Sequence, residues 1–503
     1  HVGSGVNVNM GEVDSALRVF CSIVDKRGSD AGEEEKNKVN GPMALRPYTP
    51  FLTSMLDHLK SMSASQVRRL FLLLFAVGYG DGDEGEGSRL GAASAAGSGG
   101  GGGGGACSDV HIVITKHLSL APFSMKRIGI IGTVAFAVSR SSQLPRDDNS
   151  IIEDTDAMCL PSSAAASSPV VKEIKDMLQK AYDTCMPAGR GSVSAARSSS
   201  SLNNSITSNG GSAMAFLLDE LSHAVRGGRL SLDIQAWIDD LVQGDFESFY
   251  VGDLYEEDQD SNMKKKSSGN SQELQLLSNG LIPTDGSDLA LLNGTSTNPL
   301  APPGELRFNI LGSESTVYLK ILPLLSSNDT KRCELLPVQC SMFRLMSTLC
   351  NAQYGGKGLA EIDAMLDCPL LLPSTQSSEM EMFDDVGATK QWVITAAYYF
   401  GTCWIRQLIN SFIYAAADET NSTGIAPATA GSFTASSQGF DAEEVKKKVV
   451  ERLKVLVELE EELRFTSSNC YSFAPPGLDV LAPPKELFNH SNNNDAENMI
   501  NTN

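Results

Sequence analysis

The chain has 503 residues, and its formal net charge at pH 7 is −21. This acidic balance speaks against a nucleic-acid-binding protein that works alone, because the phosphate backbone attracts basic surfaces. Ten cysteines occur without a C-x-x-C pair, so no structural zinc site is predicted, and free thiols in a reducing compartment are the expected state. No apolar run approaches the ~20 residues of a membrane helix, and the N-terminal stretch lacks the apolar core of a signal peptide.

Segments rich in Gly, Ser, Asn, Pro or acidic residues separate the helix-periodic parts of the chain. Such segments bury too little apolar surface to offset the loss of chain entropy. Disordered insertions or linkers are therefore predicted at 80–108, 141–168, 188–212, 256–304, 417–439 and 489–503. The regions between them are predicted to be helical repeats (1–79, 169–255 and 305–416), a helical pair (109–140), and a long helix with a Pro-rich end (440–488).

The N-terminal region predicts an amphipathic helix and then a helical pair. The first helix is expected at Val13–Val24, and the pair at Phe51–Lys60 and Ser63–Val77. Ser63 followed three residues later by Gln66 is a capping box, in which each side chain accepts from the other's backbone N–H. The sequence therefore predicts that the second helix of the pair begins beside Ser63.

The next helical pair is predicted at Asp109–Leu118 and Pro122–Ser139. One apolar stripe of the second helix follows from the i, i+3, i+4, i+7 spacing of Ile131, Val134, Ala135 and Val138. Lys126 lies off that stripe. It shares a face mostly with small residues, namely Gly129, Ile130, Thr133 and Ala137. This face is expected to leave room for another backbone or a large partner to approach the lysine amine.

The rest of the chain predicts further helices and one ambiguous region. Helices are expected at Pro169–Cys185, Ala213–Val225, Asp233–Val242, Gln339–Ala352, Gly358–Leu366, Thr389–Ala416 and Asp441–Phe465. The last has a capping pair at Asp441 and Glu444. Its expected core stripe is Val445, Val449, Arg452/Leu453, Leu456 and Leu463. Glu305–Leu325 is rich in β-branched and aromatic residues and predicts one short β-hairpin. Successive helices without strand alternation fit an all-α fold, an α-solenoid of irregular stacked helical hairpins.

Two glycine-containing stretches partly resemble nucleotide-binding motifs. Gly356-Lys357 resembles the end of a phosphate loop, but Asn351 stands at the position of the first glycine. Gly129–Gly132 lacks the leading glycine of a dinucleotide fingerprint, because Arg127 occupies that position. Neither stretch predicts nucleotide binding.

Catalytic and metal-binding patterns are also missing from the sequence. There is no G-x-S-x-G or H-E-x-x-H motif. His111 and His117 fall on different faces of one predicted helix, so they are poor joint ligands. We predict a protein that is not an enzyme and carries neither a cofactor nor a metal.

The core of the second helix, FSMKRIGIIG (Phe123–Gly132), resembles the Fanconi anaemia group D2 protein family. In that family an acceptor lysine directly precedes an aliphatic I-G-I-I-G helix. Other segments follow in the family's order: LDHLKSMSASQVRRLFLLLFAV, LDELSHAVRGGRLSLDIQAWI, GLAEIDAMLDCPLLL, WIRQLINSF and VVERLKVLVELEEEL. The resemblance covers nearly all predicted helices, and it implies a central portion of a much longer homologue.

This resemblance implies that Lys126 is a mono-ubiquitinated lysine. The residues implied at an interface around it are Arg127, Gly129 and Thr133. The family's role implies a helical scaffold for interstrand-crosslink repair, located on chromatin in the nucleus. The implied partners are the group I paralogue, double-stranded DNA, and ubiquitin with its conjugating enzyme, ligase and deubiquitinase. No membrane and no small-molecule substrate are implied.

A basic island surrounds this segment in the otherwise acidic chain. Between Cys107 and Arg146 it contains Lys116, Lys126, Arg127, Arg140 and Arg146 against Asp109 alone. Under the family reading, Lys116, Arg140 and Arg146 are candidate DNA contacts. The plainer reading is a solvated basic face.

Two alternatives remain open from the sequence. SQVRRLFL (Ser65–Leu72) stands where family members have been proposed to carry a sliding-clamp-binding box, but Val67, Leu70, Phe71 and Leu74 also have core spacing. The alternative to the scaffold function is a helical-repeat adaptor of transport-receptor type without regulated ubiquitination. Lys116 is the alternative acceptor, on a different predicted helix.

Overall fold

The computed structural model describes residues 10–25, 41–78, 105–144, 168–186, 210–253, 304–308, 317–326, 334–354, 362–373, 383–421, 442–470 and 473. These residues form mainly helices with one small sheet, which confirms the predicted all-α fold class. They divide into two compact units. Unit 1 is His1–Pro145, Ser163–Thr184 and Arg229–Ser231, and unit 2 is Arg146–Ser162, Cys185–Gly228 and Leu232–Asn503. No helix among these described ranges is long and apolar enough to cross a membrane.

Unit 1 is built from short and medium helices. They are α1 (Met10–Asp25), α2 (Gly41–Leu45), α3 (Thr49–Ser54), α4 (Ala64–Gly78), α5 (Gly105–Ser119), α6 (Phe123–Ser141) and α7 (Pro169–Cys185, of which all but the last residue lies in unit 1), with 3₁₀ turns at Arg46–Tyr48 and Met55–Ser61. The helix predicted at Phe51–Lys60 is therefore α-helical only to Ser54 and continues as a 3₁₀ helix. Helix α5 begins inside the insertion predicted at 80–108, and the earlier part of that segment lies outside the described residues.

The predicted capping box fixes the start of α4. The Ser63 Oγ accepts the Gln66 backbone N–H at 3.3 Å, and the Gln66 Oε1 accepts the Ser63 backbone N–H at 2.9 Å. Two N–H groups that a helix start leaves without an intrahelical partner are thereby satisfied. The prediction from the sequence is confirmed in both directions of the pair.

Helix α4 supplies the centre of the unit 1 core. Val67, Leu70, Phe71 and Leu74 are each at most 3% exposed. The Phe71 ring stacks on the Phe75 ring, with 6.4 Å between the centroids. A sliding clamp could reach these side chains only if α4 left the core, so the core reading of this segment is the one that the structure supports.

Replacing Phe71 with alanine should lower the free energy of unfolding of unit 1 by about 3–5 kcal/mol, because it removes a fully buried ring and leaves a cavity. Denaturant unfolding followed by circular dichroism measures this loss. Phe51→Ala is the matched control, since the Phe51 side chain is 56% exposed. A stably folded Phe71→Ala variant that loses only sliding-clamp binding would contradict the core assignment.

Unit 2 packs long helices around an aromatic centre. Its helices are α8 (Gly210–Arg226), α9 (Leu232–Tyr250), α10 (Ile321–Ser326), α11 (Leu336–Tyr354), α12 (Asp363–Leu366), α13 (Ala388–Asn421) and α14 (Ala442–Asn469), with a 3₁₀ turn at Phe383–Asp385. Phe246 of α9, Phe343 of α11 and Trp404 of α13 meet in the core. The Trp404 ring centroid lies 4.8 Å from that of Phe343 and 5.8 Å from that of Phe246.

The prediction of a β-hairpin at Glu305–Leu325 is wrong, because the two strands found there do not pair with each other. Strands β1 (Val251–Asp253), β2 (Gly304–Arg307), β3 (Val317–Leu319) and β4 (Leu370–Pro373) form a sheet in the order β1-β3-β4-β2. The two strands of the predicted hairpin are thus separated by β4, which pairs antiparallel with β2 and parallel with β3. The β-forming composition was read correctly, but both strands take partners from distant parts of the chain.

The predicted core stripe of the last helix is only partly correct. Arg452 is 0% exposed, whereas Leu453 is 44% exposed, and the fully buried Leu459 was not part of the predicted stripe. The Arg452 guanidinium binds the Asp367 carboxylate and donates to the Leu366 carbonyl oxygen at 2.7 Å. A buried ion pair at the end of α12 therefore sets the rotation of α14. The capping residue predicted at position 441 lies outside the described residues.

Candidate functional site

Lys126 occupies the first turn of α6. The Pro122 carbonyl oxygen accepts the backbone N–H groups of both Met125 and Lys126 at 3.0 Å, which starts the helix. The Lys126 side chain is half-buried. Its Nζ donates to the backbone carbonyl oxygen of Thr184 at 3.3 Å. The amine therefore rests on the last turn of α7, where helix carbonyls lack intrahelical partners and carry partial negative charge.

A second polar contact joins the far ends of the same two helices. The Arg140 guanidinium forms a 3.0 Å ion pair with the Glu173 carboxylate. Lys126 and Arg140 lie at opposite ends of α6, and their partners Thr184 and Glu173 lie in the reverse order on α7. The two helices are thus antiparallel. The Lys126 amine is held by α7, which is separated from α6 by a long segment of chain.

The face of small residues beside Lys126, expected to admit another backbone or a large partner, is filled by the chain itself. Gly129 is buried, and a Cβ placed on it would lie 2.6 Å from the Leu118 backbone nitrogen and 3.0 Å from the Ile114 carbonyl oxygen. Thr133 is 0% exposed, and its Oγ1 donates to the Gly129 carbonyl oxygen at 3.0 Å. The backbone that the small residues admit is that of α5. Gly129 and Thr133 therefore serve helix packing, and in this structure both are buried and present no open surface.

The sequence predicts one buried apolar stripe on α6, but the buried surface of this helix is larger than that stripe. Every residue from 128 to 137 is buried, so this part of the helix is enclosed on all sides. Gly132 contributes to the same crossing, because a Cβ there would lie 2.5 Å from the Ile114 Cγ1 and 3.2 Å from the Phe71 Cε2. The first turn, which carries Lys126 and Arg127, and residues 138–140 near the other end of the helix are more exposed.

Gly129→Ala should destabilise unit 1 even though alanine favours helices by roughly 1 kcal/mol over glycine. The new methyl meets backbone atoms of α5, which cannot move aside as a side chain would, so a net loss of about 1–2 kcal/mol is expected. Gly244 in α9 is the matched control, because a Cβ there has no heavy atom within 4 Å. Chemical denaturation should show opposite signs for Gly129→Ala and Gly244→Ala. Equal stabilisation by both would contradict the close crossing of α5 and α6.

The candidate DNA contacts do not form one free basic face. Lys116 is exposed on α5. Arg140 is paired with Glu173, and its side chain is 17% exposed. Arg146 lies outside the described residues. The positive charge at Arg140 is therefore partly neutralised, whereas no ion pair of Lys116 is found within the described ranges.

The two histidines of α5 have separate environments. The His111 ring packs edge-on against Phe136, with centroids 4.7 Å apart, and burial lowers its pKa. The pKa of His117 is lowered by burial and by the charges of Lys116 and Lys60. No group of three or more His, Cys, Asp or Glu side chains suited to a metal ion occurs in the described part of the chain. The stretch at 356–357 lies outside it.

Sequence reasoning missed Thr184 and Lys60. Thr184 acts through its backbone carbonyl, which no side-chain pattern reports. Lys60 approaches His117 from the 3₁₀ turn that precedes α4. Only the three-dimensional arrangement brings these residues to the start of α6.

Comparison with known proteins extends the resemblance over most of the chain. A family model described as "Fanconi anaemia protein FancD2 nuclease" matches residues 1–160, a range that includes α6 and Lys126. The chain is 23% identical to the Fanconi anemia group D2 protein homolog of Rattus norvegicus over 98% of its own length and 26% of the relative. It is 23% identical to the Mus musculus homolog over 95% of its length and 25% of the relative. It thus spans about a quarter of the length of these curated relatives.

Proposed function

We propose that this chain, which is similar to Fanconi anaemia group D2 proteins over nearly its whole length, is part of a helical DNA-repair scaffold regulated by ubiquitin on Lys126. The single observation that carries the proposal is the position of this lysine. It precedes the IGIIG helix, which is buried from residue 128 to residue 137, and its own side chain is only half-buried. An enzyme can therefore reach the amine without opening the core.

The chemistry proposed for Lys126 is acyl transfer. Ubiquitin arrives as a thioester on a cysteine of a conjugating enzyme, and the deprotonated Lys126 amine attacks the thioester carbonyl carbon. A C–N isopeptide bond forms, the C–S bond breaks, and the enzyme cysteine leaves as a thiol after taking the proton released by the amine. The scaffold supplies the nucleophile, and the conjugating enzyme and ligase supply the activation.

The remaining parts of the proposal rest on the family resemblance. The scaffold pairs with the group I paralogue, and the pair encloses double-stranded DNA at crosslinks in nuclear chromatin. Attached ubiquitin holds this clamp closed until a deubiquitinase removes it. The net charge of −21 supports a role for the partner in DNA binding, because the field of this chain alone repels phosphate.

Crosslink damage in cells that express the tagged protein tests this function. The expected result is one ubiquitin-shifted band after damage, with the remnant of the isopeptide bond on Lys126 in tryptic peptides. A shift that maps to another lysine, or no shift at all, would contradict the proposal. The adaptor alternative predicts no damage-dependent shift.

A further inference from the structure

The start of α6 lies within a group of basic side chains that come from three segments. We name Lys60, Lys116, His117 and Arg127 the basic rim of Lys126. Lys60 lies in the 3₁₀ turn before α4, Lys116 and His117 lie in the last turn of α5, and Arg127 follows the acceptor itself. Lys60 and Lys116 are exposed, and the other two are half-buried.

Backbone geometry brings the rim together. Helices α5 and α6 are joined by only three residues, and the Leu120 N–H donates to the His117 carbonyl oxygen at 3.3 Å. The Met125 backbone, one residue before the acceptor, lies near enough to His117 to oppose part of the lowering of its pKa. The 3₁₀ turn that carries Lys60 packs directly on α6. Lys60 and Lys116 lie close enough to His117 for both charges to lower its pKa.

Few acidic groups on the same segments oppose this charge. Asp57 shares the 3₁₀ turn with Lys60, and Asp183 precedes Thr184 on α7. The Asp183 carboxylate accepts the Gln179 side-chain N–H at 2.8 Å. Among the described residues named here, Lys60, Lys116, Lys126 and Arg127 therefore outnumber the two carboxylates, in a chain whose net charge is −21.

We infer that the basic rim docks an acidic surface of the enzyme that delivers ubiquitin, and thereby steers that enzyme to Lys126. This inference rests on the proposed function of Lys126 and specifies which chemistry its delivering partner presents. Charges at the edge of an interface mainly raise the rate of encounter and fix its register. Steering by complementary fields raises association rates by about 10- to 1,000-fold.

Charge count and position favour a protein partner over duplex DNA. Proteins whose affinity for duplex DNA falls steeply with salt neutralise about 6–10 phosphates. The rim supplies three permanent cations, and the fourth nearby is the acceptor amine itself. This number suits a local docking contact, and the rim lies at the start of the helix that carries the acceptor lysine.

Single-turnover transfer of ubiquitin from the charged conjugating enzyme to the full 503-residue chain tests the inference. At enzyme concentrations below saturation and low salt, Lys60→Glu and Lys116→Glu should each slow transfer to Lys126 by about tenfold. At saturating enzyme the rates should match the unmodified protein. The difference should shrink in high salt, because the Debye length falls from about 10 Å at 0.1 M to about 3 Å at 1 M.

Lys172→Glu is the matched control. Lys172 is also exposed, but it lies in the first turn of α7, at the end remote from Thr184. This variant should transfer ubiquitin at the unaltered rate, and all three variants should keep the melting temperature of the parent.

The outcomes separate the two proposals. If the parent chain accepts no ubiquitin on Lys126, the proposed function fails and the docking inference fails with it. If the parent is modified and the rim variants behave like Lys172→Glu, only the docking inference is overturned. Rim variants that lose duplex-DNA affinity at an unchanged transfer rate would also overturn it, and would assign the rim to nucleic acid.

Discussion

Replacing Lys126 with arginine should eliminate the mono-ubiquitinated form of the protein while leaving its stability nearly unchanged. The arginine guanidinium stays protonated in proteins, so it offers no nucleophilic nitrogen to the thioester. It still provides N–H donors for the Thr184 carbonyl oxygen, which now accepts from the lysine at 3.3 Å. The expected change in unfolding free energy is within about 0.5 kcal/mol. An immunoblot for the ubiquitin shift and a thermal melt measure the two quantities.

Lys116→Arg is the control for this experiment. Lys116 lies on α5 rather than α6, and it is exposed, so it tests whether any nearby amine is sufficient. The Lys116→Arg variant should be modified to the same extent as the parent. Undiminished mono-ubiquitination of Lys126→Arg after damage would show that the acceptor lies elsewhere.

The second large effect is expected in the core of unit 2, at the Asp219–Arg344 pair. The Asp219 Oδ1 lies 2.6 Å from the Arg344 Nη1, and these side chains are 10% and 4% exposed. Burial raises the pKa of Asp219 to about 6, even though Arg344 opposes the shift. Asp219→Leu should therefore cost about 3–5 kcal/mol of unfolding free energy, because it leaves a buried guanidinium without its counter-ion.

The double variant Asp219→Leu/Arg344→Met distinguishes loss of the pair from loss of packing. With both charges removed, most of the stability should return, since apolar replacements of buried ion pairs are often neutral or stabilising. The Arg344 Nη2 also donates to the Gln407 Oε1 at 3.1 Å. The double variant leaves this amide oxygen without its donor, so part of the lost unfolding free energy should not return. Equilibrium denaturation of both variants measures the difference. Equal stability of the single and double variants would contradict the unpaired-charge explanation.

Local chemistry made part of this fold predictable. The Ser63–Gln66 capping box needs residues only three positions apart, and both of its hydrogen bonds are present. The spacing around Phe71 likewise predicted a core position, and its ring is 0% exposed. These features depend on one helix and its own first turn, so a sequence window contains all the necessary information.

Long-range pairing could not be predicted in the same way. Strand β3 pairs with Val251–Asp253, and β2 pairs with Leu370–Pro373, so the composition of 305–325 indicated strands but not their partners. In α14 the spacing did not reveal that Asp367 would draw Arg452 inward and leave Leu453 exposed. Periodicity reports which residues share a face, but not which neighbour covers it.

The same limit applied to the candidate site. The sequence placed Lys126 away from the apolar stripe of its helix, and the structure places the amine on the end of α7. The small residues beside it were correctly read as room for a backbone, but that backbone belongs to α5. The complete basic rim could not be predicted from the sequence, because Lys60 precedes α4 in the chain whereas Lys116 and Arg127 follow it.

The close crossing at Gly129 affects how the IGIIG sequence should be interpreted in homologous proteins. The glycines are required by the distance between two helix backbones, whereas the side chain of the lysine before them contacts the end of α7. Under the proposed function, selection on folding and selection on modification would therefore act on adjacent but separate positions. A homologue without the modification should keep its glycines and replace only the lysine. An intact IGIIG sequence therefore indicates that the fold is kept, but not that the lysine is modified.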